Sequence, residues 1–316
     1  MLNFYKLKKD YLRFDGNERL DLINRLSTNK VDELDRLNCA KTVLTTDKGR
    51  FVDLITLYNF GDFVFAACSF NNSKQVLSHI DKYTIMDDFK ALDMAGTHET
   101  ILFLVEGSEN FAKKTFGVEL NSLASNDFSI FIENNCHSLI IRNDDELGGF
   151  LFIYASKDKV FWEDKLGLQK NCAELLDKEY EIKRIEYGIP AFGKEMTELT
   201  NPLECGLNQY VSFTKGCYIG QEVIARLDAY DKISKHMVGI KLINEIPSSS
   251  VIGEIKIIRD DKECGFVTSS VMSNQFGYIG LGFVKTIFLN YNKDYKIKIN
   301  NSLINCKLVK LPFRIN

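Results

Sequence analysis

The stretch that organises this chain is Lys215-Gly216-Cys217-Tyr218-Ile219-Gly220-Gln221-Glu222-Val223-Ile224-Ala225-Arg226. It combines a thiol, charged side chains and two glycines within a short span. Glycine tolerates a positive φ and a close approach of other backbone atoms, so Gly216 and Gly220 predict a tight turn at Cys217. The polar pair after Gly220, followed by an apolar run, predicts that a helix begins there.

The position of Cys217 predicts a reactive thiol. Free N–H groups at a helix N-terminus favour negative charge, and Lys215 is close in sequence. Both effects should lower the thiol pKa of Cys217 and increase its fraction of thiolate, the nucleophilic form of cysteine. The alternative interpretation is a small buried apolar residue, which is the commonest environment of a free cysteine.

The composition is that of a multidomain globular protein. The chain has 316 residues, 45% of them hydrophobic, with a formal net charge of -3. Without a global basic field, direct binding of nucleic acid is not expected, although a local basic patch stays open. The N-terminus lacks the apolar core of a signal peptide, and no window has the length of a membrane span. We therefore expect a cytoplasmic protein without a membrane partner.

Cysteine and histidine patterns do not indicate a metal site. The eight cysteines include no C-x-x-C pair, and the four histidines show no metal-binding spacing. A disulfide scaffold is not expected in so long a chain either. We therefore predict that most of the cysteines are reduced core residues.

The N-terminal part mixes helix and strand patterns. Asn17 is predicted as the N-cap of an amphipathic helix over 16–26. Strand patterns over 41–44, 50–58 and 63–68, joined by turn-like tetrapeptides, predict an antiparallel meander. Further helices are predicted over 73–83 and 110–116, and further strands over 101–105, 129–132, 138–142 and 150–154. This mixture predicts an α+β fold.

The C-terminal part changes texture. A helical stripe is predicted from Asn171 to the stop signals Gly188 and Pro190, and Asn201-Pro202-Leu203-Glu204 predicts a short helix with Asn201 as its N-cap. Six strand patterns then predict a small β-barrel or β-sandwich. They lie over 236–242, 254–259, 263–268, 278–284, 295–299 and 303–309. We therefore predict two domains, 1–230 and 231–316, with the boundary near Asp231.

The string Lys-Gly-Cys-Tyr-Ile-Gly-Gln-Glu over 215–222 resembles the signature of the YgfZ family of folate-binding proteins, relatives of the glycine-cleavage aminomethyltransferase, GcvT. Further landmarks of that family lie in the same order, at 16–29, 44–50, 184–190, 202–207 and 265–269. The resemblance implies a GcvT/YgfZ-like fold of three subdomains with a C-terminal β-barrel and a reduced folate in a central channel. The folate is tetrahydrofolate or a one-carbon derivative. A role in iron–sulfur cluster assembly or repair, including for tRNA-modifying enzymes, is implied as well.

The resemblance also implies folate-binding residues. Glu186 matches the acidic position that hydrogen-bonds the pterin in aminomethyltransferases, and a carboxylate can accept from a ring N–H and an amino group together. Arg226 suits the carboxylates of the folate tail, and Lys215, Tyr218 and Gln221 are further expected contacts. The alternatives are a solvated glutamate for Glu186, and a surface arginine or a local ion pair for Arg226.

Two departures from aminomethyltransferases weaken the case for one-carbon transfer. Asp53 stands alone where those enzymes carry paired acids, one of them catalytic, and Arg50 replaces a glycine. Lys30 stands where an aspartate is usual. Asp53 is thus the remaining candidate for a catalytic acid, and Arg50 is expected to keep it ionised.

Three functions remain open. The first is a folate-dependent factor for iron–sulfur cluster assembly or repair, with Cys217 as its reactive group and iron–sulfur proteins as its partners. The second is a folate-dependent aminomethyltransferase or demethylase. The third is a non-enzymatic folate-binding interaction module in which Cys217 only packs. The first is favoured, without free-standing aminomethyltransferase activity.

Overall fold

The fold is described by a computed structural model that covers residues 2–124, 127–145, 147–229, 232–243, 255–299 and 302–314. The chain forms two compact units. The first comprises Met1–Leu176 and Gln209–Gln221, and the second comprises Asp177–Asn208 and Glu222–Asn316. Both combine helices with largely antiparallel strands, which confirms the predicted α+β class.

The first unit holds two sheets and the helices that cover them. Its strands are β1 (Leu2–Leu7), β2 (Lys9–Asp15), β3 (Cys39–Thr45), β4 (Phe51–Asn59), β5 (Val64–Ser69), β6 (Lys90–Asp93), β7 (His98–Phe103), β8 (Phe128–Glu133), β9 (Cys136–Arg142), β10 (Phe150–Ala155) and β11 (Cys172–Glu174). Its helices are α1 (Arg19–Leu26), α2 (Ser73–Tyr83), α3 (Ser108–Phe116), α4 (Lys159–Lys165) and α5 (Leu168–Asn171).

The five-stranded sheet has the order β3-β4-β5-β2-β6. Antiparallel pairing of β3 with β4 and of β4 with β5 confirms the predicted meander. Helices α1 and α2 contribute Leu22 and Val76 to an apolar core that also contains Ile55 of β4. Helix α2 has the bounds that the hydrophobic periodicity predicts.

The start of α1 differs from the prediction. The helix begins at Arg19, and its N-cap is Glu18 rather than Asn17. The Glu18 carbonyl accepts the first intrahelical hydrogen bond, from the Leu22 N–H at 2.8 Å. Asn17 instead donates its own N–H to the Asp88 carboxylate at 2.9 Å, so a tertiary contact outside the helix holds this residue.

The six-stranded sheet has the order β11-β1-β7-β10-β9-β8. The strands β1 and β2, which the sequence patterns left unassigned, each lie inside a sheet. The helix predicted from Asn171 is wrong at its start, because Cys172–Glu174 pair in parallel with β1. Cys172 is buried in the core of this sheet, and the next helix begins only at Asp177.

The second unit contains a closed barrel. Its helices are α6 (Asp177–Glu186) and α7 (Gln221–Ala229), and α7 starts at the unit boundary. Its strands are β12 (Lys235–Leu242), β13 (Ile255–Arg259), β14 (Lys262–Ser273), β15 (Gly277–Lys285), β16 (Asp294–Ile299) and β17 (Ser302–Val309). The barrel order is β12-β15-β14-β13-β16-β17, and pairing of β12 with β17 closes it. The sequence left a barrel or a sandwich open, and the barrel is confirmed. The predicted strand start at Glu254 lies outside the described residues.

The compact units divide the chain differently from the predicted 1–230 and 231–316. Ile185 of α6 packs in one apolar cluster with Ile279, Leu281 and Phe313. Burial of Ile185 against these residues stabilises the packing of α6 on the barrel. Residues 177–208 therefore belong to the compact unit of the barrel and not to that of the two sheets. The predicted boundary at residues 230 and 231 itself lies outside the described part of the chain.

The segment Asn201-Pro202-Leu203-Glu204 forms consecutive turns instead of the predicted helix. The Glu204 N–H donates to the Asn201 side-chain oxygen at 3.0 Å, and the Asn201 N–H donates to the Glu204 carboxylate at 3.3 Å. These are the reciprocal bonds of a helix start. Gly206 then adopts a left-handed φ of 72°. That conformation terminates helices, so it ends the segment before a helix can propagate.

Candidate functional site

The cysteine segment, residues 210–220, is fastened to the last turn of α1, to the residues just after it and to the end of β3. The Ser212 N–H donates to the Thr28 carbonyl at 2.9 Å, and the Ile219 N–H donates to the Arg25 carbonyl at 2.9 Å. The Thr45 hydroxyl donates to the Ile219 carbonyl at 2.6 Å. Bonds on both sides of Cys217 therefore fix the backbone that presents the thiol.

Gly220 is required by a close approach to the hairpin between β3 and β4. Its φ is 83°, and an added Cβ would lie 2.5 Å from the Thr46 carbonyl oxygen and 2.9 Å from the Gly49 Cα. The tight turn predicted at Cys217 lies two residues later, at Ile219 and Gly220, next to the start of α7. Gly216 has open space around it and does not adopt a positive φ.

Lys215 points into the fold. Its ammonium donates to the carbonyls of Asn24, Ser27 and Asn29 at 2.6, 2.8 and 2.7 Å. These carbonyls lie in and just after the last turn of α1, where helix carbonyls lack intrahelical partners. All three N–H donors of the ammonium are thus engaged, and burial lowers the pKa of Lys215 to about 8. The geometry gives Lys215 the role of fastening the cysteine segment to α1.

The next residues differ sharply in exposure. Cys217 is exposed, whereas Tyr218 is buried and its ring centroid lies 5.1 Å from the Lys215 ammonium nitrogen. Burial raises the pKa of Tyr218 to about 12. Gln221 is half-buried and is the first residue of α7, which confirms a helix after Gly220. The tyrosine therefore anchors the segment beside a thiol that faces solvent.

Cys217 is unlike the other seven cysteines, all of which the structure describes. Six are buried and Cys136 is half-buried. Burial raises the pKa of Cys39 to about 11 and that of Cys306 to about 12. Such thiols stay protonated at neutral pH and are poor nucleophiles.

Asp53 lies in the interior of the first unit with no exposed surface. One carboxylate oxygen accepts from the Leu54 N–H at 2.7 Å and the Ser69 hydroxyl at 2.7 Å. The other accepts from the Ser69 N–H at 2.9 Å and the Asn72 amide at 3.0 Å. Four donors saturate the lone pairs of a carboxylate. The arrangement ties β4 to β5 and to the start of α2 and so stabilises the five-stranded sheet.

Glu186 ends α6 in the second unit and is half-buried. The Ser273 hydroxyl donates to Glu186 Oε1 at 2.5 Å. That hydroxyl is held by the N–H groups of Gln275 and Phe276, each at 3.1 Å. Among the described residues, none donates a hydrogen bond to Oε2. The carboxylate is thus fixed through one oxygen and keeps the other open.

A buried ionic network, which the sequence patterns did not reveal, lies just before Glu186. The Arg184 guanidinium contacts both oxygens of Glu181, at 2.6 and 2.9 Å, and Glu195 Oε2 at 3.0 Å. It also donates to the Ser269 hydroxyl of β14 at 2.8 Å. Arg184 and Ser273 together attach the end of α6 to β14. Arg184 belongs to a landmark seen in the sequence, whereas the fork geometry is visible only in the fold.

The expected site residues belong to different units. Asp53, Lys215, Cys217, Tyr218 and Gln221 lie in the first unit, and Glu186 and Arg226 lie in the second. Arg226 is exposed on α7. Lys30, which departs from the aspartate usual at this position of the aminomethyltransferase pattern, pairs with Glu33 at 2.6 Å.

Two absences apply to the residues that the structure describes. They contain no group of three or more histidine, cysteine or acidic side chains placed to hold a metal ion. Every helix among them is too short or too polar to cross a bilayer.

Comparison with known sequences gives a family match for the barrel and similar proteins over nearly the whole chain. Residues 235–314 match the family described as glycine cleavage T-protein C-terminal barrel domain. The chain is 25% identical to an aminomethyltransferase of Halothermothrix orenii, over 95% of this chain and 84% of that protein. It is also 25% identical to an aminomethyltransferase of Thermosipho melanesiensis, over 95% of this chain and 82% of that protein.

A solved structure shares the fold. The crystal structure of glycine cleavage system aminomethyltransferase T from Bartonella henselae superposes with a TM-score of 0.85, covering 99% of this chain and 86% of that chain. The sequence identity in this match is 14%. The match confirms the fold that the signature and its landmarks implied, with the C-terminal barrel in its expected place.

Proposed function

We propose that this aminomethyltransferase-like protein binds a reduced folate through Glu186 and supports the assembly or repair of iron–sulfur clusters, including those of tRNA-modifying enzymes, with Cys217 as its reactive group. Membership of the YgfZ family is part of the proposal. The single observation that carries it is the half-engaged carboxylate of Glu186, fixed by Ser273 at 2.5 Å through Oε1.

The chemistry of Glu186 fits a pterin. A pterin presents a ring N–H and an amino group on one edge, and an oriented carboxylate is their natural acceptor. Holding Oε1 in place limits the rotamers of Glu186, so less side-chain entropy is lost when a ligand binds Oε2. Arg226, exposed on α7, is the proposed partner of the folate tail.

Cys217 supports the second half of the proposal. It is the exposed thiol among eight cysteines, and its segment is fastened by Lys215 and Ile219. A thiol used only for packing would be buried, as six of the others are. A fixed and accessible thiol suits reaction with, or transfer to, a partner protein.

The folate half is tested by calorimetric titration of tetrahydrofolate. Glu186→Gln should weaken binding by about 1.5–3 kcal/mol, because a hydrogen bond to a charged group is lost. Glu198→Gln, an exposed glutamate of the same unit, is the matched control and should bind like wild type. Absence of binding by wild type, or equal binding by Glu186→Gln, contradicts the proposal.

The cysteine half is tested in cells that lack the protein. Cys217→Ser should fold normally yet fail to restore the activity of iron–sulfur enzymes, whereas Cys136→Ser should restore it. If Cys217→Ser restores full activity, the folate-binding interaction module becomes the better description.

Aminomethyl transfer is the second candidate, because relatives at 25% identity carry that name. The saturated and buried Asp53 counts against it, since a catalytic acid needs access to its substrate. Turnover of an aminomethyl donor with tetrahydrofolate by wild type would reverse this order.

A further inference from the structure

The loop between α2 and β6, residues 84–89, presents two adjacent apolar side chains to solvent. Ile85 is 85% exposed, and Met86, at 93%, is the most exposed large apolar side chain that the structure describes. On either side of the pair, Tyr83 and Phe89 are partly buried against the core of the five-stranded sheet. Neither Ile85 nor Met86 belongs to that core, so folding of the unit gains little from their apolar surface.

The loop holds this pair in a fixed place. The Arg25 guanidinium forms an ion pair with the Asp87 carboxylate. The Asp88 carboxylate accepts from the Asn17 N–H at 2.9 Å, and the Asp88 N–H donates to the Glu18 carboxylate at 2.6 Å. Contacts near the start and the end of α1 thus order the loop before a partner arrives. A surface that is already ordered loses less conformational entropy on binding.

Arg25 also connects the loop with the cysteine segment. Its side chain holds Asp87, while its carbonyl accepts from the Ile219 N–H at 2.9 Å. Asp87 follows Met86 directly in sequence, and Ile219 lies two residues after Cys217. The exposed apolar pair and the exposed thiol therefore flank the last turn of α1 within the first unit. A folded protein is much wider than a helix of about 10 Å in diameter, so one partner docked at this end can contact both.

Charge selects the kind of partner. The charged side chains of the loop, of the last turn of α2 and of the α1 region that contacts the loop or pairs with Arg25 are five acids and two cations: Glu18, Asp21, Asp81, Asp87, Asp88, Arg25 and Lys82. Lys90, the next cation along the chain, lies opposite Asp15 of β2 instead. A second copy of this chain, docked through the same surface, would bring two acidic rims together, and like charges repel there. Anionic lipid is disfavoured for the same reason.

We infer that Ile85 and Met86 form the docking site for a protein that carries an apolar pocket rimmed by lysine or arginine, and that this protein is the one that Cys217 serves. Methionine is enriched at protein interfaces, and an apolar centre inside a polar rim is their usual anatomy. The assignment of Cys217 rests on the proposed function, whereas the docking site rests on the exposure, the order and the charge of the loop.

The docking site is tested by photo-crosslinking of the full-length protein in cells that lack the native protein. Met86 is replaced by a benzophenone amino acid, and the crosslinked peptides are mapped by mass spectrometry. We expect one partner protein, attached through apolar residues flanked by lysine or arginine. Asp81→Lys should lower the yield of this product by about threefold or more, because it reverses a charge of the rim. Glu106→Lys, an exposed acid elsewhere in the first unit, makes the same change of charge and should leave the yield unchanged.

The positional control places the benzophenone amino acid at Ile287, which is as exposed as Ile85 but lies in the second unit. It should not give the same product. The inference is overturned by the same product from Ile287, by no crosslink from Met86, or by a crosslink to a second copy or to this chain itself. An attachment site without a basic rim, or equal losses in Asp81→Lys and Glu106→Lys, overturns it as well.

Ile85→Ser combined with Met86→Ser separates this inference from the proposed function. The purified variant should keep the thermal midpoint, the tetrahydrofolate affinity and the Cys217 alkylation rate of wild type, because both side chains are exposed. In cells it should lose the restoration of iron–sulfur enzymes to the same extent as Cys217→Ser. If wild type restores these enzymes and the double variant does so equally, the docking inference falls and the proposed function stands. If wild type does not restore them, the proposed function falls, and the crosslinked product alone decides whether the docking site exists.

Discussion

Asp53 in the first unit and Glu186 in the second are both held carboxylates, yet their surroundings differ. Asp53 is fully buried and accepts four hydrogen bonds from neutral donors. Glu186 is half-buried and accepts one side-chain hydrogen bond, from Ser273. The four lone-pair sites of the Asp53 carboxylate are occupied by groups of the fold, whereas Oε2 of Glu186 keeps its lone pairs for a ligand. The comparison thus separates a structural acid from a candidate binding acid.

The largest expected effect comes from removing the saturated carboxylate. Asp53→Ala leaves the Ser69 and Asn72 donors buried without an acceptor, which should cost about 3 kcal/mol of unfolding free energy. Urea denaturation measures this cost. Asp21→Ala, an exposed acid of the same unit, is the control and should cost less than about 0.5 kcal/mol. If the two variants are equally stable, Asp53 is not the anchor of this sheet.

A second effect concerns acid stability near Glu186. Burial raises the pKa of Glu181, but hydrogen bonds from Arg184 and Lys194 outweigh it and bring the pKa to about 2 from an ordinary 4.5. The folded-state pKa is therefore depressed, so the stabilisation is present above pH 4.5 and is lost as the pH falls from 4.5 towards 2. After allowance for partial exposure, the loss is about 2 kcal/mol.

The measurement is the urea midpoint as a function of pH over that window. Glu181→Gln should flatten the acid limb, and Glu33→Gln, an exposed glutamate paired with Lys30, should not. An unchanged acid limb in Glu181→Gln would show that other carboxylates govern unfolding in acid.

A smaller effect should distinguish Ser273 as the residue that positions Glu186. Ser273→Ala removes one charge-assisted hydrogen bond and should lower the unfolding free energy by about 1 kcal/mol. Tetrahydrofolate affinity should also fall, and it should fall less when Glu186→Gln is already present. Additive losses of affinity in this double-mutant cycle would mean that Ser273 does not act through Glu186. Ser273→Thr keeps the hydroxyl and should restore part of the affinity.

The smallest effect on stability is expected at Cys217. Cys217→Ser should change the unfolding free energy by less than about 0.5 kcal/mol, because the side chain is exposed. Alkylation of the native protein followed by peptide mapping should label Cys217 before the buried cysteines. Labelling of Cys39 or Cys306 first would contradict the exposure and the raised pKa values described here.

Local patterns predicted much of the fold. The bounds of α2, the meander β3-β4-β5 and the barrel strands follow from hydrophobic periodicity and turn residues. The local pattern predicts helix where β11 lies, because the partner strand β1 is at the other end of the unit in sequence. Strand pairing over such separations leaves no local signal.

Some features of the candidate site could also be predicted from local sequence, and others could not. An exposed Cys217 before a helix could be predicted, since its flanking glycines and polar residues are adjacent in sequence. The contacts of Lys215 with Asn24, Ser27 and Asn29 could not, because those carbonyls become acceptors only where α1 ends beside the cysteine segment. The same holds for Ser273, which reaches Glu186 from the end of β14.

By itself, the sequence determined the class of fold, the strands of the C-terminal part and the chemical identity of the candidate site residues, because periodicity, turn chemistry and residue type are local properties. Only the tertiary structure decided how each charged group is used. Asp53 accepts four hydrogen bonds and Glu186 keeps one oxygen open because the number of donors around a carboxylate depends on residues distant in sequence. Strand register likewise brings Lys241 opposite Lys307 and Lys256 opposite Lys298, which no local pattern indicates.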